Sequence, residues 1–124
     1  MKVTGLLHVT FLVVDLGRSR AFYEGVLELQ PDANRPDLGF PGVWYGIGTG
    51  LQIHLMQLPN PEAGLQRPLH GGRDRHVALA VSDFDGLAQK LGAAGIVCTP
   101  SKSGRRALFC RDPDGNALEF VPAS

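Results

Sequence analysis

Three histidines and one glutamate, His8, His54, His76 and Glu119, are the residues of this 124-residue chain best suited to chemistry. Imidazole nitrogen and carboxylate oxygen together suit borderline divalent ions such as Zn, Ni, Co, Mn or Fe(II). An incomplete protein shell of such donors leaves positions for water and substrate. Any one of the four, taken alone, reads as a hydrogen-bonded structural histidine or a solvated glutamate. What changes the reading is that their settings repeat.

His8-Val9-Thr10-Phe11-Leu12-Val13-Val14-Asp15-Leu16 aligns with His76-Val77-Ala78-Leu79-Ala80-Val81-Ser82-Asp83-Phe84 at an offset of 68. Gly50-Leu51-Gln52-Ile53-His54-Leu55 aligns with Gly115-Asn116-Ala117-Leu118-Glu119-Phe120 at an offset of 65. The chain therefore contains two copies of one module, 5–58 and 75–122, within a single domain spanning 1–124. Residues 59–74, rich in Pro, Gly and charge and lacking any period, form the connector. His70 in that connector has no counterpart in the other half and reads as a surface residue.

The elements that must position the four follow from local pattern. Alternating runs at Leu6–Val14 and His76–Ser82 predict strands, each closed by an aspartate suited to cap a helix. Phe84, Leu87, Ala88, Leu91 and Ala94 recur at helical spacing, with Gly95 placed to end the helix. Leu16, Phe22, Tyr23, Val26 and Leu27 give a looser stripe in the first half. Strands are then predicted at Val43–Ile47 and Leu51–Leu58, and at Ile96–Thr99, Arg106–Arg111 and Ala117–Val121. A further strand, poorly marked because Pro31, Pro36 and Pro41 punctuate it, is predicted within 28–42. Each module reads strand, helix, then three strands.

Side chains alternate between the two faces of a strand. Val9, Phe11 and Val13 oppose His8, Thr10 and Leu12; Val77, Leu79 and Val81 oppose His76, Ala78 and Ala80; Ile53 and Leu55 flank His54; Leu118 and Phe120 flank Glu119. The bulkiest apolar set always lies away from the candidate ligand, so the helices should cover that face and leave the four ligands on the concave one. Thr10, Leu12, Gln52, Met56, Ala78 and Val121 share the concave face, and one of Trp44 and Tyr45 should join them, which sketches a largely apolar pocket. Lys102, Arg105 and Arg106 in a turn at 101–106, with Arg35 and Arg73 in loops, are candidates to receive a substrate carboxylate or phosphonate.

Hydrophobic residues make up 44% and charged residues 19% of the chain, as in globular proteins, and twelve Lys and Arg balance twelve Asp and Glu. That balance supplies no field for nucleic acid or an anionic membrane, so the expected partner is a small molecule. The first apolar stretch ends at Asp15, too short for a membrane span and without a secretory cleavage pattern, which predicts a cytoplasmic protein. Cys98 and Cys110 are then read as reduced thiols.

These residues resemble the vicinal oxygen chelate superfamily, which includes glyoxalase I, fosfomycin-resistance transferases, methylmalonyl-CoA epimerase, extradiol dioxygenases and bleomycin-binding proteins. The carriers are His8, Asp15 with Phe22-Tyr23 and Leu27, Ile53-His54-Leu55, His76 with Asp83, and Asp112-Pro113-Asp114-Gly115-Asn116 leading to Glu119. The resemblance implies an α+β fold of two βαβββ modules, a curved mixed sheet with helices on its convex face. It also implies one divalent ion at His8, His54, His76 and Glu119, and a homodimer. The implied activity is that of a lyase, isomerase or transferase whose small oxygenated substrate is chelated through vicinal oxygens, with Glu119 or His54 as the proton-transfer base. One departure bears on this. Glyoxalase I places Glu, and the epimerase Gln, where this chain has His54, whereas a set of two histidines and one glutamate would be His8, His76 and Glu119. The alternatives are a metal-free binding protein of the bleomycin-resistance type and an extradiol-type dioxygenase.

Overall fold

Each opening strand ends at an aspartate that starts a helix. In the computed structural model, which describes residues 1–123, β1 (His8–Leu12) leads to Asp15, whose carboxylate accepts from the Arg18 N–H at 3.1 Å. In the second half β4 (His76–Val81) leads to Asp83, which accepts from Gly86 at 2.9 Å. These caps satisfy amide donors that have no partner inside the helix. The chain divides into two compact units, Met1–Pro61 and the remainder from Glu62.

In the first unit, α1 (Leu16–Arg20) passes directly into a π-helical turn at Ala21–Val26, where the Leu27 N–H bonds back five residues to Phe22 O. The wider turn lets two consecutive residues, Phe22 and Tyr23, both enter the core, which accounts for the loose helical stripe in the sequence. Tyr23 stacks on Phe11 and Tyr45, covering the sheet face opposite the histidines. The sheet has the order β1-β3-β2, with β2 (Gly42–Ile47) antiparallel and β1 parallel to the central β3 (Leu51–Met56). Gly48 and Gly50 take positive φ in the β2–β3 turn. The strand predicted within 28–42 is reduced to one isolated bridge, Pro31 to Tyr45, because the prolines there have no N–H to continue a ladder.

The second unit holds a 3-10 turn (Gly71–Arg73), α2 (Phe84–Ala93) and a four-stranded sheet ordered β4-β7-β6-β5. Here β7 (Ala117–Pro122) runs parallel to β4 and antiparallel to β6 (Leu108–Arg111), and β6 pairs with the short β5 (Thr99–Pro100). Gly95 ends α2 at φ 74 with the Ile96 N–H returning to Leu91 O, so the chain enters β5 later than the apolar pattern of 96–99 suggests. Asp112 organises the next turn: its buried carboxylate accepts from the N–H groups of Asp114 and Asn116 and from the Asn116 amide, each at 2.9 Å. That explains the Asp-Pro-Asp-Gly-Asn run before β7.

The architecture is α+β, two small mixed sheets each with its helical element. The parallel ladders share one register: His8 faces Gln52 and Thr10 faces His54, while His76 faces Ala117 and Ala78 faces Glu119. Among the described residues no helix is long and apolar enough to cross a membrane.

Candidate functional site

Parallel pairing of the opening and late strands brings the four residues together two by two. In the first unit His8 and His54 sit two positions apart in register on neighbouring strands, and their rings stack with centroids 4.1 Å apart and planes 10° from parallel. Trp44, directly opposite His54 on the other flanking strand, stacks at 4.4 Å and 9°. It is thus Trp44 that lies on the ligand face, while Tyr45 is buried on the other and donates to Glu24 at 2.8 Å.

His54 is held in one orientation. Its Nε2 lies 2.8 Å from Gln52 Oε1, and the Gln52 amide nitrogen donates to Asp32 Oδ2 at 3.1 Å. A carboxylate oxygen only accepts, so the Gln52 amide is fixed, Nε2 of His54 is the donor, and the Nδ1 lone pair remains. Burial lowers the His54 pKa from its ordinary value, assisted by repulsion from His8 and Arg35, so the neutral ring is favoured. Thr10 is exposed and Met56 half-buried on the same face.

In the second unit His76 is oriented from behind. Its Nδ1 donates to the Asp74 carbonyl at 2.9 Å, which turns Nε2 toward Glu119 Oε1 at 3.3 Å. The Asp74 carboxylate is anchored by Arg111 at 2.9 Å and by Arg67; the Arg111 hydrogen bond is the main reason its pKa lies below the ordinary carboxylate value. Phe109, opposite Glu119 on β6, meets His76 edge to face at 5.1 Å, and Ala78, opposite Glu119 on β4, adds little bulk beside it. The other Glu119 oxygen accepts from Arg105 at 2.7 Å. A cavity of about 430 Å³ opens here, lined by Glu119, Phe109, His70, Arg73, Lys102 and Arg105 among others.

The donor geometry suits a metal. Two ligand atoms each about 2.1 Å from one ion lie roughly 3.0 to 3.4 Å apart at angles between square and tetrahedral. The 3.3 Å between His76 Nε2 and Glu119 Oε1 falls inside that window. Among the described residues no three His, Cys, Asp or Glu form a metal-holding group, so each unit brings two of the four together.

Other sequence readings shift. His70 is not a bland surface residue: it accepts from the Gly72 N–H through Nδ1, reaches Pro100 O at 3.1 Å through Nε2, and packs edge-on to Phe109 on the cavity wall. Arg106 pairs instead with Asp85 and lies over Phe84, and Arg35 donates to Phe40 O within its own loop. Nothing in the motifs of the sequence points to Phe109, Asp74 or Asp32. Period two along 106–111 would have put Phe109 on the ligand face, whereas a backbone carbonyl at Asp74 leaves no mark in sequence.

A family model described as Glyoxalase/Bleomycin resistance protein/Dioxygenase superfamily matches residues 5–120. The chain is 30% identical over 97% of its length to "Glyoxylase I 4" of Arabidopsis thaliana, covering 71% of that protein. It is 29% identical over 94% of its length to lactoylglutathione lyase of Haemophilus influenzae, covering 90% of it. In fold it is similar to the fosfomycin resistance protein FosX of Mesorhizobium loti, with a TM-score of 0.71, 24% identity and coverage of 99% and 94% of the two chains. A variant of FosX from Listeria monocytogenes, complexed with Mn(II) and 1S,2S-dihydroxypropylphosphonic acid, matches with a TM-score of 0.75, 19% identity and coverage of 99% and 95%.

Proposed function

Because the chain belongs to the Glyoxalase/Bleomycin resistance protein/Dioxygenase superfamily, we propose that it is a divalent-metal-dependent lyase, isomerase or transferase acting on a small substrate through neighbouring oxygens. The observation that carries this reading is the spacing of His76 Nε2 and Glu119 Oε1, with the His76 ring already turned by Asp74. His8 would complete a set of two histidines and one carboxylate, and His54 a fourth position. When bound, the ion would supply Lewis acidity, polarising a substrate oxygen and stabilising the negative charge that develops on it.

The chain's own residues divide the remaining work. Glu119, nearly buried, is the carboxylate able to hold the ion and exchange a proton with a substrate carbon. His54, neutral and with Nδ1 unengaged by Gln52, is a second proton acceptor within the first unit. Trp44, Thr10, Gln52 and Met56 would bound the organic part of the substrate. Lys102 and Arg105 would receive an anionic group. A homodimer in the cytoplasm is part of this reading, supported by β1 and β4 each being an edge strand of its sheet with one open backbone side.

The test is metal content followed by a substrate screen. Protein stripped with chelator and titrated with Mn(II), Ni(II), Zn(II) or Fe(II) should take up one ion per site. The loaded forms are then assayed against thiol adducts of 2-oxo-aldehydes, fosfomycin and catechols. Turnover of a catechol with Fe(II) would favour the extradiol alternative, and failure to bind any of the metals would favour the metal-free binding protein.

A further inference from the structure

Glu119 is held by a cation from its own chain, and that cation comes from an exposed turn. The Arg105 side chain is 60% exposed while that of Glu119 is 5% exposed, so the pair is formed by a solvent-facing guanidinium reaching inward to a fixed carboxylate. The carboxylate cannot follow if the guanidinium leaves, because Glu119 stands mid-strand in β7 between Ala78 and Phe109. The guanidinium has open solvent on its outer side to move into. Its turn, 101–106, lies outside any strand and is tied by short-range bonds in which Ser103 Oγ meets Ser101 Oγ at 2.7 Å and accepts from the Arg105 N–H at 3.4 Å.

A divalent ion at Glu119 Oε1 and a guanidinium 2.7 Å from Oε2 of the same carboxylate repel each other and divide its negative charge between them. Arg105 lines the 430 Å³ cavity together with Arg73 and Lys102, so a guanidinium displaced from Glu119 would still be within reach of it. That cavity would then hold three cationic side chains beside a dication, a concentration of like charge that only an anion relieves. The hydroxyls of Ser101 and Ser103 line the same space and add hydrogen-bonding partners for anion oxygens.

Resting on the metal-dependent reading above, we propose that Arg105 is a positioning residue that couples metal and anion binding: it neutralises Glu119 before the ion arrives, and the ion releases it to hold an anionic group of the substrate. The two ligands then bind with positive cooperativity, each strengthening the other by the same factor.

The experiment follows free Mn(II) by electron paramagnetic resonance during titration of chelator-stripped parent, Arg105→Ala and Arg105→Gln, with and without methylphosphonate. Circular dichroism checks that each variant is folded. Without anion, both variants should bind Mn(II) more tightly than the parent, by roughly fivefold or more. Methylphosphonate should tighten Mn(II) binding in the parent and do so much less in the variants. Variants that bind Mn(II) no better than a parent that does bind it overturn this inference and leave the metal-dependent reading standing. So does a parent whose Mn(II) affinity ignores methylphosphonate. Absence of Mn(II) binding in every form overturns both.

Discussion

His54 lies between His8 and Trp44 as the middle ring of three nearly parallel planes, with its Nε2 committed to Gln52. It is the most constrained of the candidate ligands, while His8 is exposed. Coordination through Nε2 would break the Gln52 bond, and His8, His76 and Glu119 would by themselves make a set of two histidines and one carboxylate. We expect His8→Ala, His76→Ala and Glu119→Gln to lose metal and activity, and His54→Ala to retain most of its metal at reduced affinity. Metal content and thermal unfolding of the four variants beside the parent check this. Equal loss from His54→Ala would make His54 a full ligand.

Two histidines have their tautomers set by neighbours that can act in only one way. His54 and His70 should carry their proton on Nε2, because Gln52 Oε1 and the Pro100 carbonyl only accept, whereas His76 stands between two acceptors, the Asp74 carbonyl at Nδ1 and Glu119 Oε1 at Nε2. Long-range proton–nitrogen correlation spectra of the metal-free protein at neutral pH read this directly. Nδ1–H at His54 would show that Gln52 does not orient the ring.

Far from the ligand face, Arg20, Glu24 and Tyr45 form a chain of hydrogen bonds at 2.5 and 2.8 Å. The Arg20 hydrogen bond, with help from Tyr45, holds Glu24 below its ordinary pKa, and burial followed by the Glu24 hydrogen bond raises that of Tyr45. The depressed carboxylate contributes stability above its unfolded pKa of about 4.3, which is lost as pH falls through the folded value. The raised phenol contributes stability below its unfolded value of about 10, which is lost as pH climbs beyond it. Tyr45→Phe should cost about 1.5 kcal/mol near neutrality and flatten the alkaline decline. Urea midpoints measured across pH 3 to 11 test both.

Gly42 begins β2 where the backbone of β3 crosses closest. A Cβ there would stand 2.5 Å from Leu55 O and 2.7 Å from Arg35 Nη2. The arginine can swing aside, but the carbonyl belongs to the ladder. Gly42→Ala should destabilise the protein by about 1–3 kcal/mol, whereas Gly46→Ala, with nothing within 4 Å, should cost far less despite lying in the same strand. Chemical denaturation of the pair distinguishes them.

Much of this was legible in the sequence because period and repetition act at short range. Alternation along β1 and β4 assigned the faces correctly, since Val9, Phe11 and Leu79 are more buried than His8, Thr10 and Ala78, whereas the central strands β3 and β7 are buried on both faces around His54 and Glu119. The two offsets reappear as the common register of the parallel ladders. What sequence hid depends on the third dimension. The stacking of Trp44 on His54 needs a strand order that puts β3 in the centre, and Arg105 reaching Glu119 needs the path of a turn with no period. The π turn that buries Phe22 and Tyr23 together also violates the spacing on which a helical stripe is recognised.

The common register also bears on how such a chain tolerates change. Each ligand pair is fixed by one parallel ladder, so the separation of His8 from His54, or of His76 from Glu119, is set by strand pairing and not by the number of residues between them. Insertions and deletions at 28–41 or 101–107 can therefore accumulate without moving a donor atom, as the three-residue disparity between the halves already illustrates. Those same segments carry Asp32, which holds Gln52 beside His54, and Lys102 and Arg105, which line the cavity at Glu119. A change of loop length there would alter the groups beside the candidate site, while the spacing of the paired donors would stay with the ladders.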